Sequence, residues 1–148
     1  MIKQADGILT ADMHLRLSTP IGRTDDFVKA QQTKMNFISD LQREHNCPVY
    51  DAGDVFNSWK SSPELEAWAI KNLPDNFITI PGNHEIPSHN LNLFYKSSLH
   101  VIEVAGKAIV LQNGLCYNDD VDAHVFGFGY GEKIKSTDRW INRDRQIA

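Results

Sequence analysis

The chain has 148 residues, of which 41% are hydrophobic, and its net charge is -4. This length predicts one domain, spanning residues 1–148, with enough apolar residues to form a core. The negative charge excludes a global basic field for nucleic acid, so a phosphate-bearing substrate would need metal ions and local cations. The two cysteines lack zinc-site or redox spacing, and no apolar leader or long apolar run occurs. We therefore expect a cytoplasmic protein without a membrane span.

Strands and helices alternate through the first half of the sequence. Apolar runs predict strands at residues 7–11, 48–50 and 77–80. Thr24, as an N-cap, begins a predicted helix that ends near residue 45, and Ser62 followed by proline begins a second. This alternation with short connections predicts parallel strands joined by right-handed crossovers.

The pattern changes after the third strand. A short helix is predicted at residues 90–97, and residues 101–104 with 108–111 are predicted to form a hairpin around a Gly-Lys turn. A last short strand is expected at residues 124–128. The polar segment 133–148 has no strong period, so we expect it either to pack as a short helix or to be the frayed end of an interrupted fold.

Polar side chains of metal-ligand type follow each of the three first strands. Asp12 and His14 come after the first strand, Asp54 after the second, and Asn83 with His84 after the third. Because ligands of open α/β sheets bind at the carboxyl ends of the strands, these side chains are expected to converge. Three such strand ends together predict a metal site, although each alone is an ordinary turn.

Oxygen and nitrogen ligands without cysteine favour Mn²⁺, with Fe²⁺ or Zn²⁺ as alternatives. Asp12 and His14 can share one ion, whereas Asp54 can bridge to a second ion that Asn83 also binds. Two ions about 3.5–4 Å apart can clamp a phosphoryl group and activate a water, so the expected nucleophile is metal-bound hydroxide. His84 is then the candidate for stabilising the transition state or protonating the leaving oxygen.

Three segments resemble the first signatures of the calcineurin-like metallophosphoesterases: Asp12-Met13-His14, Gly53-Asp54-Val55-Phe56-Asn57 and Gly82-Asn83-His84-Glu85. The resemblance implies an α/β sandwich of two mixed β-sheets flanked by helices, a two-metal centre and phosphodiester hydrolysis. Within that superfamily, His14-Leu15-Arg16 and the helix that follows are similar to SbcD-type DNA-repair exonucleases and related phage proteins, which makes DNA the expected substrate.

By the same resemblance, Asp12, His14 and Asp54 fall on one metal, Asp54 and Asn83 on the other, and His84 on the catalytic histidine. The later signatures of the family, a lone histidine at a strand end and a Gly-His-x-His pair, are not identifiable in this sequence. We therefore expect a C-terminally truncated chain. Its missing ligands would come from a partner chain or from self-association, or it would be an inactive remnant.

The enzyme class and the roles of Arg16 and Asn57 stay open at this point. A phosphomonoesterase or a nucleotide phosphodiesterase could use the same centre. Arg16 is a candidate for binding a phosphate oxygen, with a solvated arginine as the alternative, and Asn57 is a candidate at the rim of the site, with a turn cap as the alternative. Glu85 is expected to be a solvated carboxylate, and Asp51 a hydrogen-bonding residue inside its strand.

Overall fold

A parallel four-stranded sheet forms the centre of the protein, whose computed structural model describes residues 4–118 and 124–134. The strands are β1 (Ile8–Thr10), β2 (Val49–Asp51), β3 (Phe77–Thr79) and β4 (Ala108–Val110), in that order across the sheet. Each neighbouring pair is parallel. Because all four strands run in parallel, their carboxyl ends lie at the same edge of the sheet, and the predicted α/β class is confirmed.

Helix α1 spans Phe27–His45, and its N-cap is Asp26 rather than the predicted Thr24. The Asp26 carboxylate accepts a hydrogen bond from the Lys29 backbone N–H at 3.0 Å, whereas an N-cap at Thr24 would place the first turn two residues too early. The helix ends at His45 as predicted, because Asn46 adopts a left-handed conformation with φ of 49°.

Helix α2 spans Pro63–Asn72 and begins as predicted. The Ser62 side chain accepts from the Leu65 backbone N–H, and Pro63 occupies the first helical position. A 3₁₀ segment, Leu91–Lys96, lies within the short helix expected at residues 90–97.

The hairpin predicted at residues 101–111 is wrong. Helix α3 (Ser98–Val104) occupies its first half, and β4 pairs with β3 in parallel instead of with the segment before it. The Ser97 side chain caps the helix by accepting from the His100 N–H. Leu99 and Ile102, three residues apart, are both fully buried, so helical spacing overrides the β-branched composition of this segment.

Strands β5 (Leu115–Asn118) and β6 (His124–Gly127) form a separate antiparallel pair. The last strand agrees with the one predicted at residues 124–128. Within the described residues the first sheet is wholly parallel and the second is antiparallel. Most of the polar segment 133–148 lies outside the described residues.

The core lies between one face of the parallel sheet and the three helices. Its buried cluster draws on every layer, including Met35 of α1, Leu65 and Ala69 of α2, Leu99 and Ile102 of α3, and Val49, Phe77 and Val110 of the sheet. The other sheet face carries Leu9 and Ile109, which are 83% and 42% exposed. In the described ranges, no helix combines the length and apolar character needed to cross a membrane.

Candidate metal centre

The segments that follow β1 and β2 run side by side and are joined by backbone hydrogen bonds. The Asp12 N–H donates to the Gly53 carbonyl at 3.1 Å, and the His14 N–H donates to the Asp54 carbonyl at 2.9 Å. Leu15, which is fully buried, continues this pairing by donating to the Val55 carbonyl at 2.8 Å. The two loops that carry the predicted ligands are therefore fixed to each other through their backbones.

Three of the predicted ligands have left-handed backbones. Asp12, His14 and Asp54 have φ of 53°, 44° and 56°, a region that costs a residue other than glycine ~1–2 kcal/mol. Such conformations persist only where the surrounding structure determines them, and they concentrate at functional sites. Five other non-glycine residues of the described ranges also have a positive φ, so the strain is consistent with a site here but does not by itself identify it.

The loop after β3 approaches the loop after β2 so closely that neither Gly82 nor Gly53 has room for a side chain. A Cβ on Gly82 would lie 2.1 Å from Asp54 Oδ1, and a Cβ on Gly53 would lie 2.9 Å from the Gly82 nitrogen. Gly53 also has a φ of +96°. This close approach allows the His84 backbone N–H to donate to Asp54 Oδ1 at 2.9 Å.

His14, Asp54 and His84, called the strand-end cluster below, each offer one ligand atom, and these atoms lie within 4.8 Å of one another. The His14 and His84 rings meet edge to face, with centroids 4.7 Å apart. Asp12 Oδ1 lies 3.6 Å from His14 Nε2, and the Asp12 side chain is 70% exposed. The structure thus brings together residues from all three strand ends, as predicted.

The donor atoms of this cluster suit a divalent ion. His14 Nδ1 is buried and has no hydrogen-bond partner among the described residues, a situation that a bound cation would relieve. The His84 Nδ1 lies 2.8 Å from the Asn57 carbonyl oxygen. Since a carbonyl only accepts, that nitrogen carries a proton, which leaves Nε2 available for a ligand or a proton transfer.

Glu85 is a functional residue whose place the sequence did not reveal. It is 0% exposed, so the expectation of a solvated carboxylate is wrong. Its Oε2 accepts from the backbone N–H groups of Asp54 at 3.1 Å and Gly82 at 2.9 Å, and its Oε1 accepts from Phe56 at 2.7 Å. The signal was present: a glutamate three residues after an N-cap position typically bonds back to the N-cap amide.

Burial raises the pKa of Glu85 to about 7, and the nearby Asp54 carboxylate acts in the same direction. The three backbone donors oppose this shift because they favour the charged form. Through these hydrogen bonds, the buried Glu85 side chain links the loop that carries Asp54 to the loop that carries His84.

The flanking residues have mixed outcomes. The prediction for Asp51 is confirmed, because its carboxylate accepts from the Thr10 and Thr79 hydroxyls, each at 2.9 Å. Asn57 contributes its main-chain carbonyl to His84. Arg16 has a buried Nε without a hydrogen-bond partner among the described residues. Asn83 lies half-buried in the turn just before His84, and its role as a ligand stays a prediction.

Comparison with known families agrees with this geometry. The family model described as calcineurin-like phosphoesterase matches residues 8–146, which includes all three strand ends. Among curated proteins, none matches the chain.

Proposed function

Because the chain belongs to the calcineurin-like phosphoesterase family, we propose that it hydrolyses phosphodiester bonds with divalent metal ions bound at the ends of β1, β2 and β3. The observation that carries this proposal is the convergence of His14, Asp54 and His84 within 4.8 Å. The family acts by metal-dependent hydrolysis of phosphoesters; the diester specificity is the part that we propose.

Two ions fit the proposed donor set. Asp12, His14 and Asp54 would hold the first, and Asp54 with the Asn83 side-chain oxygen would hold the second. Mn²⁺ is the preferred ion, because the donors are carboxylate, imidazole and amide groups without a thiolate. When bound, the ions supply Lewis acidity and lower the pKa of a coordinated water.

His84 is proposed to act on the proton of the leaving oxygen. Its Nδ1 is fixed on the Asn57 carbonyl at 2.8 Å, and this bond sets both the ring orientation and the tautomer. The Nε2 atom is then directed away from that bond. After taking up a second proton from solvent, the resulting imidazolium could deliver that proton from Nε2 to the departing alkoxide and return to the neutral Nδ1–H tautomer. The same nitrogen could instead bind an ion, and the number of ions bound by His84→Gln distinguishes the two roles.

Arg16 and Asn57 are proposed to contact the substrate. The buried Nε of Arg16 lacks a hydrogen-bond acceptor among the described residues, and a phosphate oxygen would satisfy it. The Arg16 backbone is held in place because the Gln31 side chain accepts from its N–H at 3.1 Å and donates to its carbonyl at 2.7 Å. Asn57 follows the second ligand loop, where its amide could contact a non-bridging oxygen.

DNA is the proposed substrate, and its support is the likeness of the His14-Leu15-Arg16 segment to SbcD-type exonucleases. With a net charge of -4, the chain would bind DNA through the metal ions and the few cations near them, not through a general basic surface.

The test is a calorimetric Mn²⁺ titration of the purified chain, combined with hydrolysis of bis(para-nitrophenyl) phosphate. We expect two ions per chain, with both affinities weakened in Asp54→Asn and unchanged in the surface control Asp75→Asn. If the parent chain bound Mn²⁺ no more tightly than Asp54→Asn does, the proposal would be overturned. A single weak site would indicate that a partner chain or a second copy supplies further ligands, and sedimentation analysis with Mn²⁺ would test that prediction.

A further inference from the structure

A cavity of about 260 Å³ lies between the first ligand loop and helix α1. Backbone and side chains of residues 10–13 form one wall, and Phe27, Ala30 and Ile38 belong to the opposite wall. The cavity is separate from the strand-end cluster, but the two share a boundary, because Asp12 lines the cavity and also lies 3.6 Å from the His14 ring.

The interior of this loop–helix cavity is mostly apolar. Met13 and Met35 contribute thioethers, and Phe27 and Ile38 contribute half-buried apolar surface. Thioether side chains adapt their shape to different apolar ligands at low cost. Pockets for whole drug-sized ligands usually measure about 300–1,000 Å³, so a cavity of this size suits a smaller planar group.

Two cations, Arg23 and Lys34, and the carboxylate of Asp12 line the cavity. Arg23 and Lys34 are both exposed and both line the cavity. Arg23 is held in place by Asp25, whose Oδ1 accepts from the Arg23 Nε at 2.8 Å, and its guanidinium lies 4.9 Å from the centre of the Phe27 ring. Lys34 forms no ion pair with any residue of the described ranges, so its ammonium group can meet an anion.

We propose that the loop–helix cavity is a subsite for the base of a nucleotide whose phosphodiester lies at the metal centre. The apolar walls would enclose the planar base, and the ammonium group of Lys34 would bind the adjoining phosphate. Asp12 connects the two places, since it lines the cavity and its Oδ1 lies 3.6 Å from His14 Nε2. This inference rests on the proposed function and adds the place at which the base of the phosphodiester would bind.

Ala30 gives a direct way to fill the cavity. It lies on the cavity wall and takes no part in the proposed metal or catalytic groups, so Ala30→Phe should occupy the space of the base. Ala67 is the matched control, because it is an exposed alanine of helix α2 that does not line the cavity. Ala67→Phe therefore makes the same change away from it.

The first readout is binding, measured by calorimetry on the metal-free chain with the thymidine dinucleotide TpT and with dimethyl phosphate. We expect TpT to bind the parent chain and the Ala67→Phe variant equally, and to bind Ala30→Phe about tenfold more weakly. Dimethyl phosphate should not distinguish the three chains. Equal TpT affinity in all three, even with a more stable Ala30→Phe fold, would mean that the cavity is only a packing gap and would overturn the inference.

The second readout is the kcat/KM ratio, with Mn²⁺ present, for para-nitrophenyl thymidylate over methyl para-nitrophenyl phosphate. We expect the ratio to be about ten in the parent chain and close to one in Ala30→Phe, with methyl ester hydrolysis unchanged. Hydrolysis of both esters without discrimination would overturn the subsite and leave the proposed function standing. TpT binding without hydrolysis of either ester would overturn the proposed function and leave the subsite standing.

Discussion

Glu85 and Asp54 are joined by a partly buried hydrogen bond, in which the Asp54 backbone N–H donates to Glu85 Oε2 at 3.1 Å. Asp54 has a left-handed φ of 56°, and the same carboxylate also accepts from Gly82 and Phe56. One side chain thus fixes the backbone of a proposed bridging ligand and links it to the loop that carries His84. The affinity of the site for metal should therefore depend on Glu85, although Glu85 is not one of the proposed ligands.

Replacing Glu85 with glutamine should weaken both metal binding and the fold. The glutamine oxygen can accept from the Asp54 and Gly82 amides, but its NH₂ group then faces the Phe56 N–H, a donor against a donor. We expect ~1–3 kcal/mol of lost unfolding free energy and about a 10–100-fold loss of Mn²⁺ affinity. Urea unfolding and calorimetry measure the two effects.

The matched control is Glu132→Gln. The Glu132 carboxylate also accepts from backbone amides, those of Asn113 and Gly129, but it touches none of the proposed ligands. If both variants lost Mn²⁺ affinity equally, the effect of Glu85 would be general destabilisation rather than positioning of Asp54.

His84→Gln should lower kcat by about 10²–10⁴-fold while the chain still binds Mn²⁺ at the same stoichiometry. The reason is that glutamine can keep the space of the ring but cannot transfer a proton from the position of Nε2. Steady-state kinetics with Mn²⁺ titration checks both parts, and His100→Gln on helix α3 is the control. Loss of one ion per chain in His84→Gln would instead make His84 a metal ligand.

Three of the four strands of the sheet, and the convergence of His14, Asp54 and His84 at their ends, could be predicted because they rest on local signals that tertiary packing reinforces. Apolar runs ended by Asp12, Asp54 and Asn83 identify three strands, and parallel order then places their ends at one edge. What the sequence could not supply was burial. The sequence predicts an exposed carboxylate at Glu85, whereas in the structure the loops that follow β2 and β3 leave it 0% exposed.

Helix α3 is a second element whose structure depends on burial that the sequence does not show. Val101 and Val104 favour a strand by local propensity, yet both are exposed, at 41% and 73%. Leu99 and Ile102 decide the outcome, because they are buried at helical spacing against the sheet. A preference of a few tenths of a kcal/mol per residue yields to packing that the sequence alone does not display.

Asp51→Asn should change how stability depends on pH. Burial raises the pKa of the Asp51 carboxyl above its ordinary value of 3.8, although hydrogen bonds from Thr10, Gly53 and Thr79 oppose the shift. Since the folded chain holds this proton more tightly than the unfolded chain does, unfolding free energy falls as pH rises from 3.8 through the raised pKa. Asparagine can keep the three hydrogen bonds, so the variant should lack that fall in chelator-treated protein.

Asp75→Asn gives a control with the opposite sign. The hydrogen bond from Lys107 lowers the pKa of Asp75, so its contribution is present above 3.8 and is lost as pH falls through the lowered value. The effect should be small, because the Asp75 side chain is 92% exposed. Identical pH profiles for Asp51→Asn and the parent chain, measured by urea unfolding, would show that Asp51 ionises in the fold as it does in the unfolded chain.

Gly82→Ala should damage the metal centre directly. A Cβ at this position would lie 2.1 Å from Asp54 Oδ1 and 2.4 Å from the Asp54 nitrogen, so the β2 and β3 ends would have to separate. That separation would also lengthen the bond from the His84 N–H to Asp54 Oδ1. We expect a loss of ~1–3 kcal/mol in unfolding free energy together with loss of Mn²⁺ binding.

Gly106→Ala is the control: its Cβ would meet nothing within 4 Å, and its φ of +73° should cost ~1–2 kcal/mol without affecting the ions. Normal Mn²⁺ binding by Gly82→Ala would mean that the ligands do not need the close approach of the two loops.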